Sequence, residues 1–527
     1  MATWDRGKSL KWVLLSFMLD PKQASGLKLA YGVKATAAAP AGVFVKDDGG
    51  AVIVDTGVLR THLLKRSGML DNVRLRVRGE ERQFIGAAAS YLVAAGGNYQ
   101  GRFVAGPAQI TVTRRGPRLA TLRCAGWYEQ NGTKLCQYIN RLTFSAGSPV
   151  IQVSQTFILT EQTGKVAFAD IGLKLPLADE WGGRFGLDGQ VVEAPAGRDA
   201  PQRWLRQDTP DHCLYYSLDG KTQEGKRTDG WMAQTTRMRD DMADSTVAVA
   251  LRDAWQNYPL ELALSRDDMT LHFWPAHGRT DNLHPVTLEN INKLWFCHEG
   301  KLLDFTVPVA VHTFMDKGTE NDYRYVRSAK NANAIGLAKT HDFSLMLAAS
   351  GDPVAHARAL SRQVNDPLVV SLCGRDMCAT GAFDDLYPAG DPQFAALDKG
   401  LRDFFVAERR MEEHCQSFGK LNWGDSHTSW RYDDMRFDTI YRTWRNTHHG
   451  APRVPWVLWA RSADPVFLHY GLRNARHEIN FAEKYDFVVI NDDLDRTVAT
   501  IRQILDAQRH SSRHQKLKIT GEEGIIS

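Results

Sequence analysis

Alternation of apolar and polar positions dominates the first two thirds of the chain. From Thr3 to about Lys65, the runs "LKWVLLSFML", "GLKLAYGV", "GVFVKD" and "GAVIVDTG" are apolar or alternating and are broken by Gly, Asp and Pro, the pattern of short strands. From about Leu75 to Tyr325 the alternation continues through "QITVTRRG", "ATLRCAGWYEQNGTKLCQYINRLTF", "PVIQVSQTFIL", "STVAVALRD", "LELALS", "MTLHFWPA" and "LLDFTVPVAVHTF". Turn signals recur about every ten residues, and so many strands with so little helical periodicity predict a large antiparallel β-sandwich. After about Asp352 the period becomes about 3.6. "DPVAHARALSRQV", "DPQFAALDKGLRDFFVAERRMEE", "DDMRFDTIYRTWRN", "PRVPWVLWARSA" and "DPVFLHYGLRNARHEINFAEKY" read as amphipathic helices, several opened by Asp-Pro. Short loops between them predict antiparallel helix pairs.

Composition narrows the class. The chain has 527 residues, 43% apolar and 24% charged, which suits a soluble globular protein of about three or four domains. A formal charge of +4 gives no field that would recruit nucleic acid or a membrane. Seven cysteines, at Cys124, Cys136, Cys213, Cys297, Cys373, Cys378 and Cys415, form no zinc-type pair and read as free thiols in a reducing compartment. No apolar run reaches the roughly 18 residues needed to cross a bilayer, and "KWVLLSFML" reads as a strand. Without a signal peptide the chain as written reads as cytoplasmic. A first strand that starts almost at Met1 suggests a missing upstream segment, whose loss would hide a secretion signal. Asn131, Gly132 and Thr133 match a glycosylation sequon that no secretory signal supports.

The densest polar and aromatic group is "LNWGDSHTSWRYDDMRFDTIYRTWRNTHHGAPRVPW", Leu421 to Trp456. A carbohydrate site uses these residues together: flat aromatics for sugar faces, Arg and Asn for carboxylates and hydroxyls. The competing reading is a hydrogen-bonded domain junction. On a helix, Tyr441 and Arg445 would share a face, with Asn446, His448 and His449 just beyond its end. A second group is "GLAKTHDFSL", where Lys339 and His341 sit on an expected strand and a lone His is more often structural than catalytic. The same holds more strongly for His277 in "LHFWPAHG" and His298 in "LWFCHEG". The chain has no HExxH and no GxSxG. Gly7, Lys8 and Ser9 lack the earlier glycine of a phosphate-binding loop, because position 2 is Ala2.

The order of segments is more specific than any single motif. "ATWDRGKSLKWVLLSF", "RLTFSAGSPVIQVSQTFIL", "VALRDAWQNYPLELAL", "LHFWPAHG", "GLAKTHDFSLML" and "YRTWRNTHHGAPRVPWVLWARSADPVFLHYGLRNARH" together resemble the exo-rhamnogalacturonan lyase family, also called YetA-like, from about Thr3 to His477. The resemblance implies an N-terminal β-barrel (1–74, trimmed), a central β-sandwich (75–335) and a truncated α/α toroid (336–477). "YDFVVINDDLDRTV" and its surroundings, about Asn474 to Gln515, resemble the C-terminal end of a guanylate kinase. Residues 478–527 are therefore expected to be a foreign strand-helix tail, as in a chimeric gene. The fold expected is multidomain, β plus α.

The lyase resemblance also implies β-elimination in an acidic plant-type or algal-type polysaccharide. Such a reaction needs a carboxylate partner, a base and an acid. Residue chemistry nominates Arg445 with Asn446 as the partner, His448 or His449 as the base and Tyr441 as the acid. Lys339 and His341 would close the site from the sandwich side, with Trp430 and Tyr432 as sugar platforms. A divalent cation such as calcium could replace Arg445. Two other readings compete: a non-catalytic carbohydrate-binding or inactive chimera, and GMP or ATP binding through the tail. Kinase activity is not expected, since no phosphate-binding loop precedes the tail.

Overall fold

The computed structural model describes residues 42–162, 165–178, 182–194, 202–216, 220–236, 245–275, 302–303, 334–367, 371–383, 385–414, 418–420 and 453–479, together with short strands at 2–3, 10–12, 426–427, 430–431, 436–437 and 442–443. The first pair is β1 (Ala2–Thr3) with β2 (Leu10–Trp12). An antiparallel meander follows: β3 (Phe44–Asp47), β4 (Ala51–Asp55), β5 (Leu59–Leu64), β6 (Leu70–Val77) and β7 (Glu80–Ile85).

Among the described residues, sixteen further strands form one sheet. Its first half in chain order comprises β8 (Ala89–Gly97), β9 (Tyr99–Arg115), β10 (Leu119–Gln130), β11 (Thr133–Ser145), β12 (Val150–Ile158), β13 (Val166–Pro176), β14 (Gly182–Leu187) and β15 (Gln190–Ala194). The second half comprises β16 (Arg203–Thr209), β17 (His212–Tyr216), β18 (Thr222–Gly225), β19 (Thr228–Thr236), β20 (Ser245–Leu251), β21 (Leu260–Leu264), β22 (Asp268–Trp274) and β23 (Ala338–Ala348). Spatial order is β15-β14-β19-β20-β23-β12-β11-β10-β9-β8-β13-β22-β21-β16-β17-β18, and every pairing is antiparallel. The β10–β11 turn is Asn131-Gly132, both with positive φ, the conformation a two-residue hairpin turn requires.

The sheet folds over on itself. Phe273 of β22 stacks 4.4 Å from His341 of β23 and lies 6.2 Å from Phe343, although six strands separate β22 from β23 in the order. Alternation explains the closure: Leu122, Leu142, Val153, Leu173, Leu271 and Leu345 turn one pleat inward and bury it against the facing layer. The antiparallel, strand-rich structure is what the alternation predicts.

The barrel expected for 1–74 is corrected among the described residues. The meander stays open, because β3 and β7 do not pair. Instead β7 ties to the large sheet through the Ile85–Leu177 bridge and the Ala178 N–H to Phe84 carbonyl bond of 3.0 Å. Its apolar pleat, with Val54, Leu59, Leu63 and Val73, joins the same core as the large sheet, so closing on itself would leave that face without a partner. Residue 74 falls inside β6. The sheet likewise runs to Ala348, past the boundary expected at 335.

Among the described residues, five α-helices follow: α1 (Pro353–Asn365), α2 (Gly374–Ala379), α3 (Ala395–His414), α4 (Arg453–Ser462) and α5 (Pro465–Ile479). Asp352 caps α1, accepting from the Val354 N–H at 3.0 Å, with Pro353 in the first turn. Leu360 and Ala357 of α1 cover Trp231, Ala233, Ala248 and Ala250 on the outer pleat of β19 and β20. Phe405, Leu458 and Phe467 join α3, α4 and α5 in a smaller core. A helix over "DDMRFDTIYRTWRN" is not what forms. Arg436–Phe437 and Arg442–Thr443 are extended, as β26 and β27, and pair with β25 (Trp430–Arg431) and β24 (Ser426–His427). Its aromatic and β-branched residues suit a strand better than a helix.

Candidate acid-base site

Of the expected site residues, two are described with their side chains. Tyr432, Tyr441, Arg445, Asn446, His448 and His449 lie outside the described residues, as do His277, His298 and the kinase-like tail at 480–527. Trp430 belongs to β25, with its side chain outside the described set. The extended Arg442–Thr443 removes the helix-face argument that joined Tyr441 to Arg445.

Lys339 and His341 come together, but inside the sandwich. Both alternate on the inner pleat of β23 with Phe343 and Leu345, and both are buried. The Lys339 ammonium donates to Asn257 Oδ1 at 2.7 Å, and burial pulls its pKa down to about 8 against the opposing pull of Asp253 and Asp342. Burial is also the main reason the His341 pKa falls well below the usual value, reinforced by the Lys420 and Lys339 charges. The His341 Nε2 makes no hydrogen bond among the described residues, and its ring lies on Phe273. Lys420 donates to the carbonyls of Pro259 and Phe273. This group is an interior cationic cluster, which corrects the expectation that Lys339 and His341 face a sugar.

A different group gathers on the outer pleat of β8, β13, β22 and β21. Gly172 of β13 pairs with Tyr91 on one side and His272 on the other, and His272 pairs with Glu261. The Tyr91 hydroxyl donates to Asp170 Oδ2 at 2.9 Å. The other Asp170 oxygen lies 2.9 Å from His272 Nδ1, while His272 Nε2 is 3.8 Å from Glu261 Oε1. Arg102 lays its guanidinium 3.7 Å over the Tyr91 ring. Gly172 makes this possible, since a Cβ there would stand 2.5 Å from the Tyr91 oxygen.

The electrostatics suit proton transfer. Burial opposes a charged His272, but the Asp170 hydrogen bond with the Asp170, Glu261 and Asp268 charges outweighs it and raises the pKa. Burial first, then Asp170, raises the Tyr91 phenol, which stays protonated. The group can hold a proton on imidazole or phenol and pass it to a neighbouring oxygen, with Asp170 orienting both donors. Among the described residues no three His, Cys, Asp or Glu side chains are placed to hold a metal ion.

This array was not legible as a site in the sequence. His272 stands in "LHFWPAHG", between Leu271 and Phe273, as the polar position of an apolar strand. That alternation is the one signal it offers. Its partners are 102 residues away at Asp170 and 181 away at Tyr91, so only the pairing of β13 with β22 and β8 reveals them.

No family model matches the chain. A segment of it is similar to guanylate kinases: it is 50% identical over 60 residues to the guanylate kinase of Chelativorans sp. (strain BNC1), covering 11% of this chain and 27% of that one. The chain thus spans about a quarter of that relative's length. Among solved structures, a protein in the glycosyl hydrolase family 38 from Enterococcus faecalis matches with a TM-score of 0.33 and 10% identity, over 59% of this chain and 32% of that one. A galactose mutarotase-like protein from Lactobacillus casei ATCC 334 matches with a TM-score of 0.27 and 9% identity, over 57% and 100%. At this level of superposition no shared function follows.

Proposed function

We propose that the chain is a polysaccharide lyase-like protein that cleaves a carboxylated, rhamnogalacturonan-type polymer by β-elimination. The observation that carries the reading is the contact of His272 with Asp170 and Tyr91, a preorganised acid-base group that is buried on the outer pleat of the sheet. Support from sequence is the ordered set of segments that resemble the exo-rhamnogalacturonan lyase family.

In that reaction the uronate carboxylate is neutralised so that the C5 proton becomes acidic, a base removes it, and an acid protonates the departing O4. Two groups compete for the proton-transfer roles. One is His272 with Tyr91, oriented by Asp170. The other is His448 or His449 as base with Tyr441 as acid. Arg445 with Asn446 remains the proposed carboxylate partner in either case, and Trp430 and Tyr432 the proposed sugar platforms.

The test is the ultraviolet absorbance of a C4–C5 unsaturated uronate, followed while the protein is incubated with rhamnogalacturonan and related polymers. A rise that is lost in His272→Gln and Tyr91→Phe but kept in His448→Ala and His449→Ala places proton transfer on the sheet. The reverse places it in the segment around Tyr441. No rise with folded protein and every polymer sinks the lyase reading in favour of a non-catalytic carbohydrate-binding or inactive chimera.

A second reading is favoured by the guanylate kinase match: GMP or ATP binding through the tail. An unchanged melting temperature at saturating GMP and ATP would dismiss it.

A further inference from the structure

The β10–β11 hairpin turns through Asn131 and Gly132, with Gln130 paired to Thr133 as its last rung. These two residues are the one Asn-Gly step in the sequence. Both are exposed, as are Thr133 and Lys134 just beyond them. From this geometry we infer that Asn131 is a site of spontaneous deamidation, in which the hairpin tip changes its own covalent structure with water as the sole co-reactant.

The step needs a backbone nitrogen that can reach the side-chain carbonyl carbon of the residue before it. Gly132 has no Cβ to crowd that approach. Its N–H makes no backbone hydrogen bond among the described residues, and none of them engages the Asn131 amide. The Gly132 nitrogen gives up its proton and bonds to Asn131 Cγ. The Cγ–Nδ2 bond then breaks, and the departing nitrogen takes up that proton and leaves as ammonia. Water opens the cyclic imide: breaking the ring nitrogen's bond to Cγ gives aspartate, and breaking its bond to the main-chain carbonyl carbon gives isoaspartate. One ammonia leaves and one water enters, with no change of oxidation state.

The turn sets how readily this happens. Asn131 at φ 49° and Gly132 at φ 82° hold the left-handed conformations of a tight two-residue turn, and cyclisation must rotate the Asn131 backbone out of it. The rungs nearest the tip are Gln130–Thr133 and Glu129–Lys134, the second with an ion pair of 3.6 Å, and hairpin ends open at little cost. Other asparagines lack this combination. Asn72, Asn257 and Asn365 are tied to Arg74, to Lys339 and to the Leu251 carbonyl, and Asn140 is buried. Asn98 is exposed, but Tyr99 follows it and its side chain crowds the attacking nitrogen. The product removes one unit from the formal charge of +4, and isoaspartate also adds a methylene to a turn whose length fixes the β10–β11 register. The inference does not rest on the lyase reading.

The experiment is peptide mapping by mass spectrometry of the folded full chain during incubation in mildly alkaline buffer, beside the same chain in denaturant. The peptide that spans Asn131 should gain the mass difference between an acid and an amide and split into two products, one of which halts Edman degradation at position 131. The denatured chain should convert faster, and the Asn98 peptide should stay unchanged over the same interval. Asn131→Gln should abolish the new acidic charge variant in a protein that remains folded. Conversion in the denatured chain with none in the folded one would mean that the turn protects Asn131, and would overturn the inference. Equal conversion at Asn98, or an acidic variant that persists in Asn131→Gln, would do the same. So would a glycan on Asn131, which Thr133 two residues on would permit, because the amide nitrogen could then no longer leave as ammonia.

Discussion

His272 and Asp170 hold each other across β22 and β13, with Nδ1 and Oδ1 2.9 Å apart and almost no solvent between them. Because Asp170 also receives the Tyr91 hydroxyl, one carboxylate fixes the orientation of both proton donors. The substitution Asp170→Asn keeps the shape and removes the charge, so the His272 pKa should drop and the acidic limb of any pH-rate profile should move to lower pH. The folded His272 pKa lies above its unfolded value, so the stability this pair contributes is fully present below about pH 6.5 and is lost as pH rises through the folded value. Asp170→Asn should therefore cost most at low pH, about 3 kcal/mol where His272 is charged, and less in alkaline buffer. Urea melts at several pH values check this. A loss independent of pH would mean that Asp170 acts through packing alone.

Lys339 sets an opposite pH dependence. Its folded pKa of about 8 lies below the ordinary 10.5, so between those values the unfolded chain binds more protons and stability rises with pH. The gain across the interval is on the order of 3 kcal/mol. Lys339→Met should flatten that rise relative to the parent. If the two proteins keep parallel stability curves through this range, Lys339 is not the group that titrates.

His341 works at the acidic end. Its imidazole is neutral in the fold while the unfolded ring takes a proton below about pH 6.5, so stability falls as the pH drops through that value, by about 1.4 kcal/mol per pH unit. Burial first, and then the Lys420 and Lys339 charges, keep it from charging in place. His341→Leu keeps the contact with Phe273 and should unfold at lower pH than the parent. Acid denaturation followed by tryptophan fluorescence reads the difference, and a midpoint unmoved by the substitution counts against this account.

What could be read in advance follows the range of the interactions. The Asn131-Gly132 turn, the Asp352-Pro353 helix start and the inward pleat of Leu142 and Phe144 depend on neighbours a few residues away, and each is visible in the chain. Lys339 and His341 were visible as chemistry, but a strand can turn a polar pair either way, and here the pleat that carries Phe343 carries them inward. "DDMRFDTIYRTWRN" misled because its spacing fits a helix while its aromatic and β-branched residues favour extension. The Tyr91, Asp170 and His272 array exists only through register between strands, which no local pattern encodes.

Helix α1 offers a test of how packing and capping divide the work. Leu360 is buried against Trp231, Ala248 and Ala250, and Leu360→Ala should cost about 3 kcal/mol through lost burial and the cavity left behind. Asp352 is exposed and contributes one bond to the Val354 N–H, so Asp352→Ala should cost about 1 kcal/mol. The other end is held independently, by the Asn365 side chain, which accepts from the Asp253 N–H at 2.8 Å and donates to the Leu251 carbonyl at 3.2 Å. With one end anchored, loss of the cap frays a turn, whereas loss of Leu360 weakens the whole face that covers β19 and β20. Chemical denaturation of both variants should therefore rank Leu360→Ala well below Asp352→Ala. Equal losses would mean that α1 is held by its ends and that its apolar face adds little.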